Sequence, residues 1–179
     1  MESWLNRTGL IHLTELDLSN LALALALPPI VAKFTNLKKL NLNGNFLRSF
    51  PNEFEALTQL EHLSLCGNSL EGIPWQLTKL PQLKSLDISG SHEVINVENA
   101  LEIESLKELV ADNVDLQLSS PYGSEILHKL CHKLTRISVK GDRLVGDQAT
   151  DLVHLKNFSL RGKDFKCEEC LRVDALPPA

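Results

Sequence analysis

The leucine motif L-x-x-L-x-L-x-x-N-x-L occurs twice without a mismatch in this chain of 179 residues. One copy spans Leu37–Leu47 and the other spans Leu60–Leu70, 23 residues later. Each copy is followed at the same offset by an apolar residue and a proline, Phe50-Pro51 and Ile73-Pro74. A fixed period of this length indicates a repeat protein, in which each unit buries its apolar face against the next.

Incomplete copies of the motif extend the array in both directions. One copy precedes the two complete ones and four follow, which predicts seven repeats over residues 13–165. Residues 1–12 are expected to cap the first repeat. Residues 166–179 are expected to form a C-terminal tail or the start of a linker. The repeats begin near Leu13, Leu37, Leu60, Leu83, Leu106, Leu134 and Leu155.

The alternation of apolar and polar residues within the motif predicts a short strand that is buried on one face. Such a strand cannot bury its apolar face alone, so the copies must stack as a parallel sheet over a continuous core. Leucine supplies that core, since it accounts for 36 of the 179 residues. We therefore expect an α/β solenoid, with a curved parallel sheet on the concave face and short helices or extended segments on the convex face.

These motifs resemble those of the leucine-rich repeat family over residues 13–165. The second half of the first three repeats is similar to the intracellular class of about 23 residues per repeat, typified by Ras-pathway scaffold proteins. The resemblance implies a non-catalytic scaffold or signalling module that binds a partner protein. The ending Leu-Pro-Pro-Ala is typical of a linker, so we expect the chain to be the N-terminal domain of a larger protein.

The ninth motif position leaves the strand and needs a side chain that bonds backbone groups in the turn. Asn45 and Asn68 suit this structural role. Leu21 and Val114 hold the same position in other repeats and cannot hydrogen-bond. Irregular or water-filled turns are therefore expected at these two residues.

An insertion interrupts the fifth repeat. Residues 119–123 predict a loop, and Ser124 is a suitable N-cap for a helix over about residues 125–133. The face of this helix that we expect to be buried carries Leu127, Leu130, Cys131 and Leu134.

No catalytic, cofactor or metal motif is evident in the sequence. The chain lacks G-x-S-x-G, H-E-x-x-H, P-loop and G-x-G-x-x-G patterns, so neither an enzyme nor a cofactor is expected. His128 and His132 lie four residues apart on the predicted helix, but zinc needs three or four ligands, so no metal site is expected. A net charge of −5 also argues against nucleic-acid binding.

The cellular location is inferred from the cysteines and the N-terminus. No secretory signal and no apolar stretch of membrane-spanning length is present. We therefore expect an intracellular, cytoplasmic protein with reduced thiols and no membrane insertion, and a nuclear location stays open. The alternative is an extracellular, receptor-type recognition domain in which Cys167 and Cys170 belong to a C-terminal cysteine cap.

Partner binding is expected on the outward-facing strand positions, which are the third, fifth and seventh of each motif. None of them is aromatic. Charge is sorted along the chain, because residues 91–125 carry 1 basic and 8 acidic residues and residues 126–179 carry 10 and 7. This pattern predicts a polarised groove that orients a protein partner. The predicted binding residues are Glu15, Asp17, Lys39, Asn41, Asn43, His62, Ser64, Ser85, Asp87, Glu108, Asp112, Arg136, Ser138, Lys140, Asn157, Ser159 and Arg161.

Overall fold

The computed structural model describes residues 8–91, 93–117, 126, 129–130, 133–139, 144–145 and 158–161. Short strands alternate with single-turn helices along this part of the chain. In chain order the strands are β1 (Glu15–Asp17), β2 (Ala24–Ala26), β3 (Lys39–Asn41), β4 (Phe46–Ser49), β5 (His62–Ser64), β6 (Ser85–Asp87), β7 (Val94–Asn96), β8 (Glu108–Val110), β9 (Asp115–Gln117), β10 (Arg136–Val139), β11 (Leu144–Val145) and β12 (Phe158–Arg161). The helices are the 3-10 helices η1 (Thr8–His12), η2 (Pro29–Lys33), η3 (Asn52–Ala56) and η4 (Trp75–Lys79), and the α-helix α1 (Asn99–Glu102).

The main sheet has the strand order β1-β3-β5-β6-β8-β10-β12. Adjacent strands from β1 to β10 run parallel, and residues at equal motif positions pair with each other, as at Leu16↔Leu40 and Leu40↔Leu63. Two smaller sheets, β2-β4 and β7-β9-β11, lie beyond the turn that ends each main strand. The expectation of an α/β solenoid built on a parallel sheet is confirmed over this part of the chain.

The last strand of the main sheet departs from the prediction. β12 pairs with β10 in the antiparallel direction, with Arg136↔Arg161 and Val139↔Phe158. A parallel neighbour requires a connection that returns to the same end of the sheet, whereas an antiparallel neighbour does not. β12 is therefore not stacked as the earlier main strands are, although β11 still pairs with β9 in parallel. The expectation of a wholly parallel sheet is wrong at this edge.

The core is a column of motif leucines. Leu40, Leu63 and Leu86 are buried at the centre of their strands, and Phe54 and Leu77 are buried from the helices on the other side. Each buried leucine stabilises the fold by about 1.5–3 kcal/mol before the entropy of the chain is subtracted. The prolines of the motif place an extended residue before η2, η3 and η4 and thereby fix where each return segment begins.

The turns after the main strands share one left-handed residue in five repeats. The eighth motif position has a positive φ of 56–67° in each, which favours glycine or asparagine, and the residues there are Asn20, Gly44, Gly67, Gly90 and Asn113. The turn at Val114 has no further left-handed residue, so the expectation of an irregular turn is wrong there. The turn at Leu21 is irregular as expected, because the next residue, Ala22, is also left-handed with φ +53°.

The ninth position is where Asn45 and Asn68 lie, both buried. The Asn45 amide oxygen accepts hydrogen bonds from the backbone of Leu21 (3.1 Å) and Leu23 (3.0 Å) in the preceding repeat. Its Nδ2 donates to the carbonyl of Leu18 at 3.0 Å. The turn at Leu21 thus obtains hydrogen bonds from the next repeat.

Part of the predicted insertion helix lies among the described residues. Positions 126, 129–130 and 133 are helical, and Leu134 N–H donates to Leu130 at 2.9 Å. Ile126, Leu130 and Leu134 are buried, so the buried face includes an isoleucine that the prediction omitted. Ser124, Leu127 and Cys131 lie outside the described residues.

Lys133 connects this helix to the preceding repeat. Its ammonium donates to the carbonyls of Ala100 (2.9 Å) and Leu101 (2.5 Å) in α1. Partial burial lowers the pKa of Lys133, while the charges of Glu102 and Glu104 oppose that change. The lysine therefore satisfies carbonyls that a four-residue helix leaves without partners inside the helix.

The predicted caps lie at the limits of the described chain. In the expected N-terminal cap, η1 packs Leu10 against the core, and the Ile11 carbonyl accepts a hydrogen bond from Asn36 Nδ2 at 3.1 Å. Residues 1–7 and the tail over residues 166–179 lie outside the described residues, and so does Lys140.

Candidate functional site

The outward surface of the main sheet, together with the seventh motif position that follows each strand, is called the strand face below. Its third-position residues run side by side, because Glu15↔Lys39, Lys39↔His62 and Ser85↔Glu108 are direct register partners. The parallel register thus brings together residues that lie 23 or 24 positions apart in the sequence.

Opposite charges meet at two points of the third-position row. Lys39 Nζ lies 2.7 Å from Glu15 Oε1, and this hydrogen bond, with the charge of Glu15, raises the pKa of Lys39. Arg136 lies 3.9 Å from Glu108, whose carboxylate also accepts a hydrogen bond from Ser85 Oγ at 3.4 Å. The sorted charges of the sequence are therefore partly neutralised between neighbouring strands.

The fifth and seventh positions of the first three repeats form a hydrogen-bond network. Asp17 accepts from Ser19 N–H (2.8 Å) and Asn41 Nδ2 (3.1 Å), and hydrogen bonds, above all those from Ser19, lower the pKa of Asp17. Asn43 Oδ1 accepts from Ser64 Oγ at 2.7 Å and from Cys66 N–H at 2.8 Å. These polar groups are held in fixed positions before any partner arrives.

Cys66 is a free thiol in the seventh-position row and is half-buried. Burial raises the pKa of the Cys66 thiol, and the negative charge of Asp87 adds to this rise. A thiol with a raised pKa is protonated at neutral pH and is a poor nucleophile. Cys66 therefore presents a neutral side chain on the strand face.

Carboxylates concentrate at the middle of the strand face, at Asp87, Glu108 and Asp112, which we call the acidic centre. Asp87 accepts a hydrogen bond from Ser89 N–H at 2.9 Å, and Asp112 Oδ1 accepts one from Ser138 Oγ at 2.7 Å. Neutral donors of this kind fix a carboxylate without removing its charge. The acidic centre is therefore an oriented negative surface.

Two predicted binding residues lie elsewhere than expected. Ser138 is only 2% exposed and its hydroxyl donates to Asp112, so it does not face a partner. Arg161 lies opposite Arg136 in the third-position row instead of the seventh, since β12 runs antiparallel, whereas Ser159 lies opposite Ser138 in the fifth-position row as expected. Lys140 and Asn157 lie outside the described residues.

A charged row along the edge of the strand face was missed by the sequence interpretation. Glu61 Oε2 accepts a hydrogen bond from Lys84 Nζ at 2.6 Å, and Glu61 Oε1 lies 3.7 Å from Lys38 Nζ. The hydrogen bond from Lys84, with the charges of both lysines, lowers the pKa of Glu61. The signal was present, because these residues alternate in charge at the second motif position of successive repeats.

The described part of the chain has neither a cluster of metal-binding side chains nor a membrane-spanning helix. Within it, no three histidine, cysteine or acidic side chains are placed to hold a metal ion. None of its helices is both long enough and apolar enough to cross a bilayer.

Residues 35–92 match the family model described as leucine rich repeat. This segment is a leucine-rich repeat array. The match confirms the family resemblance and covers the two complete motif copies, while the number of seven repeats stays a prediction. The leucine-rich repeat fold typically serves protein interaction rather than catalysis. No match was found among curated proteins.

Solved structures of similar shape were also found. A crystal structure of a TDR receptor has a TM-score of 0.55 and 22% sequence identity, covering 79% of this chain and 25% of that chain. A crystal structure of Listeria monocytogenes InlP has a TM-score of 0.49 and 24% identity, covering 64% of this chain and 29% of that chain. The chain therefore spans less than a third of either structure, and the first similarity concerns the fold alone.

Proposed function

We propose that this protein is a non-catalytic binding module whose strand face takes up a basic segment of a partner protein. The acidic centre carries the proposal, since Asp87 lies on β6, Glu108 on the neighbouring β8 and Asp112 just after β8. Ser89 and Ser138 orient Asp87 and Asp112, while Glu108 accepts from Ser85 and lies 3.9 Å from Arg136. The surrounding segment, residues 91–125, has a single basic residue against eight acidic ones. Such a surface favours a partner that presents lysine or arginine.

The size of the strand face indicates how the partner must bind. The six strands from β1 to β10 span roughly 24 Å at about 4.8 Å per strand, and positions three to seven add about 13 Å in the other direction. The flat area of roughly 310 Å² is well below the ~800 Å² per partner of a stable complex. The partner must therefore also contact the borders of the face, where the row of Lys38, Glu61 and Lys84 is available.

An intracellular location and a scaffold role are part of this proposal. They are supported by the similarity of the first three repeats to the intracellular class of about 23 residues per repeat. The extracellular alternative depends on Cys167 and Cys170, which lie outside the described residues. Titration of the unfolded, unreduced protein separates the two, because four reactive thiols fit the intracellular protein and fewer indicate a disulfide.

The decisive experiment compares charge variants of the strand face with a matched variant elsewhere. Partners are captured with the full chain and their affinities are then measured with purified protein. Asp87→Asn keeps an acceptor for Ser89 N–H but removes the charge, so we expect about fivefold to tenfold weaker binding. Asp87→Lys is expected to weaken binding further, and the wild-type affinity should fall as salt rises.

Glu53→Gln is the control for this experiment. Glu53 is exposed on η3, away from the main sheet, so the affinity should change less than twofold. Equal affinities of the Asp87 variants and the wild type, with unchanged melting temperature, would contradict the strand face as the binding site.

A further inference from the structure

The charges of the strand face are sorted across the strands as well as along the array. The second motif position, just before each main strand, is held in the first five repeats by Thr14, Lys38, Glu61, Lys84 and Lys107. The three lysines are exposed. Glu61 is shared by two of them, at 3.7 Å from Lys38 and 2.6 Å from Lys84. We call the three lysines and Glu61 the basic border, since one carboxylate leaves it positive.

Carboxylates occupy the opposite side of the strand face. Asp17, Asp87 and Asp112 are the only charged residues at the fifth and seventh positions of the same five repeats, and we call them the acidic row. Backbone N–H groups hold two of them, from Ser19 to Asp17 at 2.8 Å and from Ser89 to Asp87 at 2.9 Å. The third-position row between the two sides is close to neutral, because each of its carboxylates lies beside a basic side chain.

The distance between the two sides matches the width of a helix. At roughly 3.3 Å per residue, the fifth motif position lies about 10 Å from the second and the seventh about 16 Å from it. An α-helix with its side chains is about 10–12 Å across. A helix that lies across the strands would therefore place one flank beside the basic border and the other beside the acidic row.

Both signs of charge recur at widely separated strands. Lys84 precedes β6 and Asp87 ends it. Lys38 precedes β3, and Asp17 ends the neighbouring β1. Three strand spacings, about 14 Å, separate β1 from β6. A segment that runs along one strand meets a single pair of these charges, whereas a segment that crosses the strands meets both.

The floor between the basic border and the acidic row is lined by short side chains. Apart from the aspartates, the fifth and seventh positions of the first five repeats hold serine, asparagine, cysteine and valine alone. Some of these are held in place, as where Ser64 Oγ donates to Asn43 Oδ1 at 2.7 Å. A helix can therefore approach the floor closely while its flanks reach the charges on either side.

We propose that the partner segment bound by the strand face is an α-helix lying across the main strands, with lysine or arginine along one flank and aspartate or glutamate along the other. The inference rests on the proposed function, because the basic flank is the basic segment assigned there to the acidic centre. The acidic flank is the new element, and it contacts the basic border. About 13 residues of helix cover the roughly 19 Å from β1 to β8.

An extended segment fits this arrangement of charge less well. Its side chains point alternately to the two faces of its backbone, so those that face the protein form a single line along the segment. A single line meets either the basic border or the acidic row, whereas the flanks of a helix are separated by its diameter. The distribution of charge over two sides therefore favours a helix.

The charges also fix the direction in which the helix lies. Turning a helix end for end on the strand face exchanges its flanks, which brings its acidic flank to the acidic row. Like charges that meet across an interface repel each other, so a given helix binds in one direction only. A helix whose flanks are exchanged binds in the reverse direction.

Three synthetic peptides of about 18 residues test the inference. The bipolar peptide is an alanine-based helix with a lysine flank and a glutamate flank. The basic peptide has glutamine in place of each glutamate, and circular dichroism checks that it is equally helical. The proline peptide keeps the charges of the bipolar peptide, but a central proline breaks its helix.

The full chain, at about 50 mM salt, should bind the bipolar peptide at least about threefold more tightly than either of the others. Fluorescence anisotropy of labelled peptides measures the affinities. A basic peptide that binds as tightly as the bipolar one would overturn the acidic flank. A proline peptide that binds as tightly would overturn the helix and indicate an extended segment.

Lys107→Gln tests the acidic flank from the side of the protein. It removes one charge of the basic border, so the bipolar peptide should bind about threefold more weakly. The basic peptide loses a repulsion and should bind equally well or up to about twofold more tightly. Lys79→Gln is the control, since Lys79 is exposed on η4, away from the main sheet, and it should change neither affinity. A Lys107→Gln variant that changes both affinities equally, or neither, would contradict the inference.

Asp87→Asn distinguishes failure of the inference from failure of the proposed function, because it should weaken the binding of both helical peptides. If it does so while Lys107→Gln leaves the bipolar peptide unaffected, the acidic flank is wrong and the proposed function stands. If Asp87→Asn changes neither affinity, the proposed function is wrong and the inference falls with it.

The direction of the helix is measured with a nitroxide label at the N-terminus of the peptide. The bipolar peptide should broaden the backbone amide signals at one end of the parallel sheet, either β1 or β8. A peptide with exchanged flanks should broaden those at the other end. Broadening of the same end by both peptides would show that the two charged sides do not orient the partner.

Discussion

At the scale of the residue, Asn45 shows how one buried side chain joins two repeats. Its oxygen accepts from Leu21 and Leu23 of the first repeat, and its Nδ2 donates to Leu18 of the first repeat and Leu42 of its own. Asn68 repeats the arrangement with Leu47, Leu42 and Leu65. Each asparagine therefore provides hydrogen bonds to backbone groups in the turn of the preceding repeat. A repeat without its own asparagine can still have its turn hydrogen-bonded in this way.

Replacing Asn45 by alanine should cost about 2–4 kcal/mol of unfolding free energy, because several buried backbone groups lose their partner at once. Denaturant unfolding measures this loss. Asn36→Ala is the control, since Asn36 is exposed and makes one hydrogen bond, to the Ile11 carbonyl. It should cost less than about 1 kcal/mol. Equal losses of unfolding free energy for the two variants would show that the buried hydrogen bonds of Asn45 do not stabilise the fold more than an exposed one.

At the scale of the element, Glu61 joins three successive repeats along the border of the strand face. Lys38, Glu61 and Lys84 occupy the residue before β3, β5 and β6, and backbone hydrogen bonds already link them, from Glu61 N–H to Lys38 and from Lys84 N–H to Glu61, both at 2.8 Å. The side-chain ion pairs repeat this backbone order. Exposed pairs of this kind contribute little singly but depend on pH and salt.

The lowered pKa of Glu61 predicts a specific pH dependence. Because the folded pKa lies below the ordinary value of 4.5, the stabilisation is complete above that value and is lost as pH falls through the folded pKa. Glu61→Gln should lower Tm by about a degree or two at pH 7. The difference should vanish as pH falls below 4.5. A difference that persists in strong acid would show that packing, not charge, is responsible; Glu55→Gln, on exposed η3, is the control.

At the scale of the whole molecule, the solenoid is unequal along its length. The second and third repeats keep both asparagines and full sets of leucine. The fifth repeat has the smaller Ala111 at a buried motif position, and residues 91–125 carry the excess of acidic side chains. The stability of a solenoid is roughly a sum of local and nearest-neighbour contributions, so these weaknesses should be felt locally.

Amide hydrogen exchange should therefore be slowest in β3 and β5, over Leu40–Leu42 and Leu63–Leu65, and fastest between about Ser91 and Ser124. A difference of at least about tenfold in protection is expected between the two regions. Ala111→Leu is not expected to restore the local stability by itself, because the added atoms must fit a packed core. Uniform protection of all the main strands would contradict the stability argument.

The sequence alone determined the period, the position of each main strand and the identity of its buried leucines. These features are encoded locally, because alternation over five residues sets which side chains face the core, and a repeat of 23 residues brings equal positions into register. The third-position row and the buried Asn45 and Asn68 followed from the same pattern.

Only the tertiary structure decided the features that depend on the direction of a neighbouring strand or on whether a neighbouring strand is present. The burial of Ser138 follows from its hydrogen bond to Asp112, and the place of Arg161 follows from the antiparallel β12. Leu25 is exposed on β2, which pairs only with β4 among the described strands. A periodic pattern specifies what each repeat presents, but an end of the array has no next repeat, so contacts there are set by chain direction and by free surface instead.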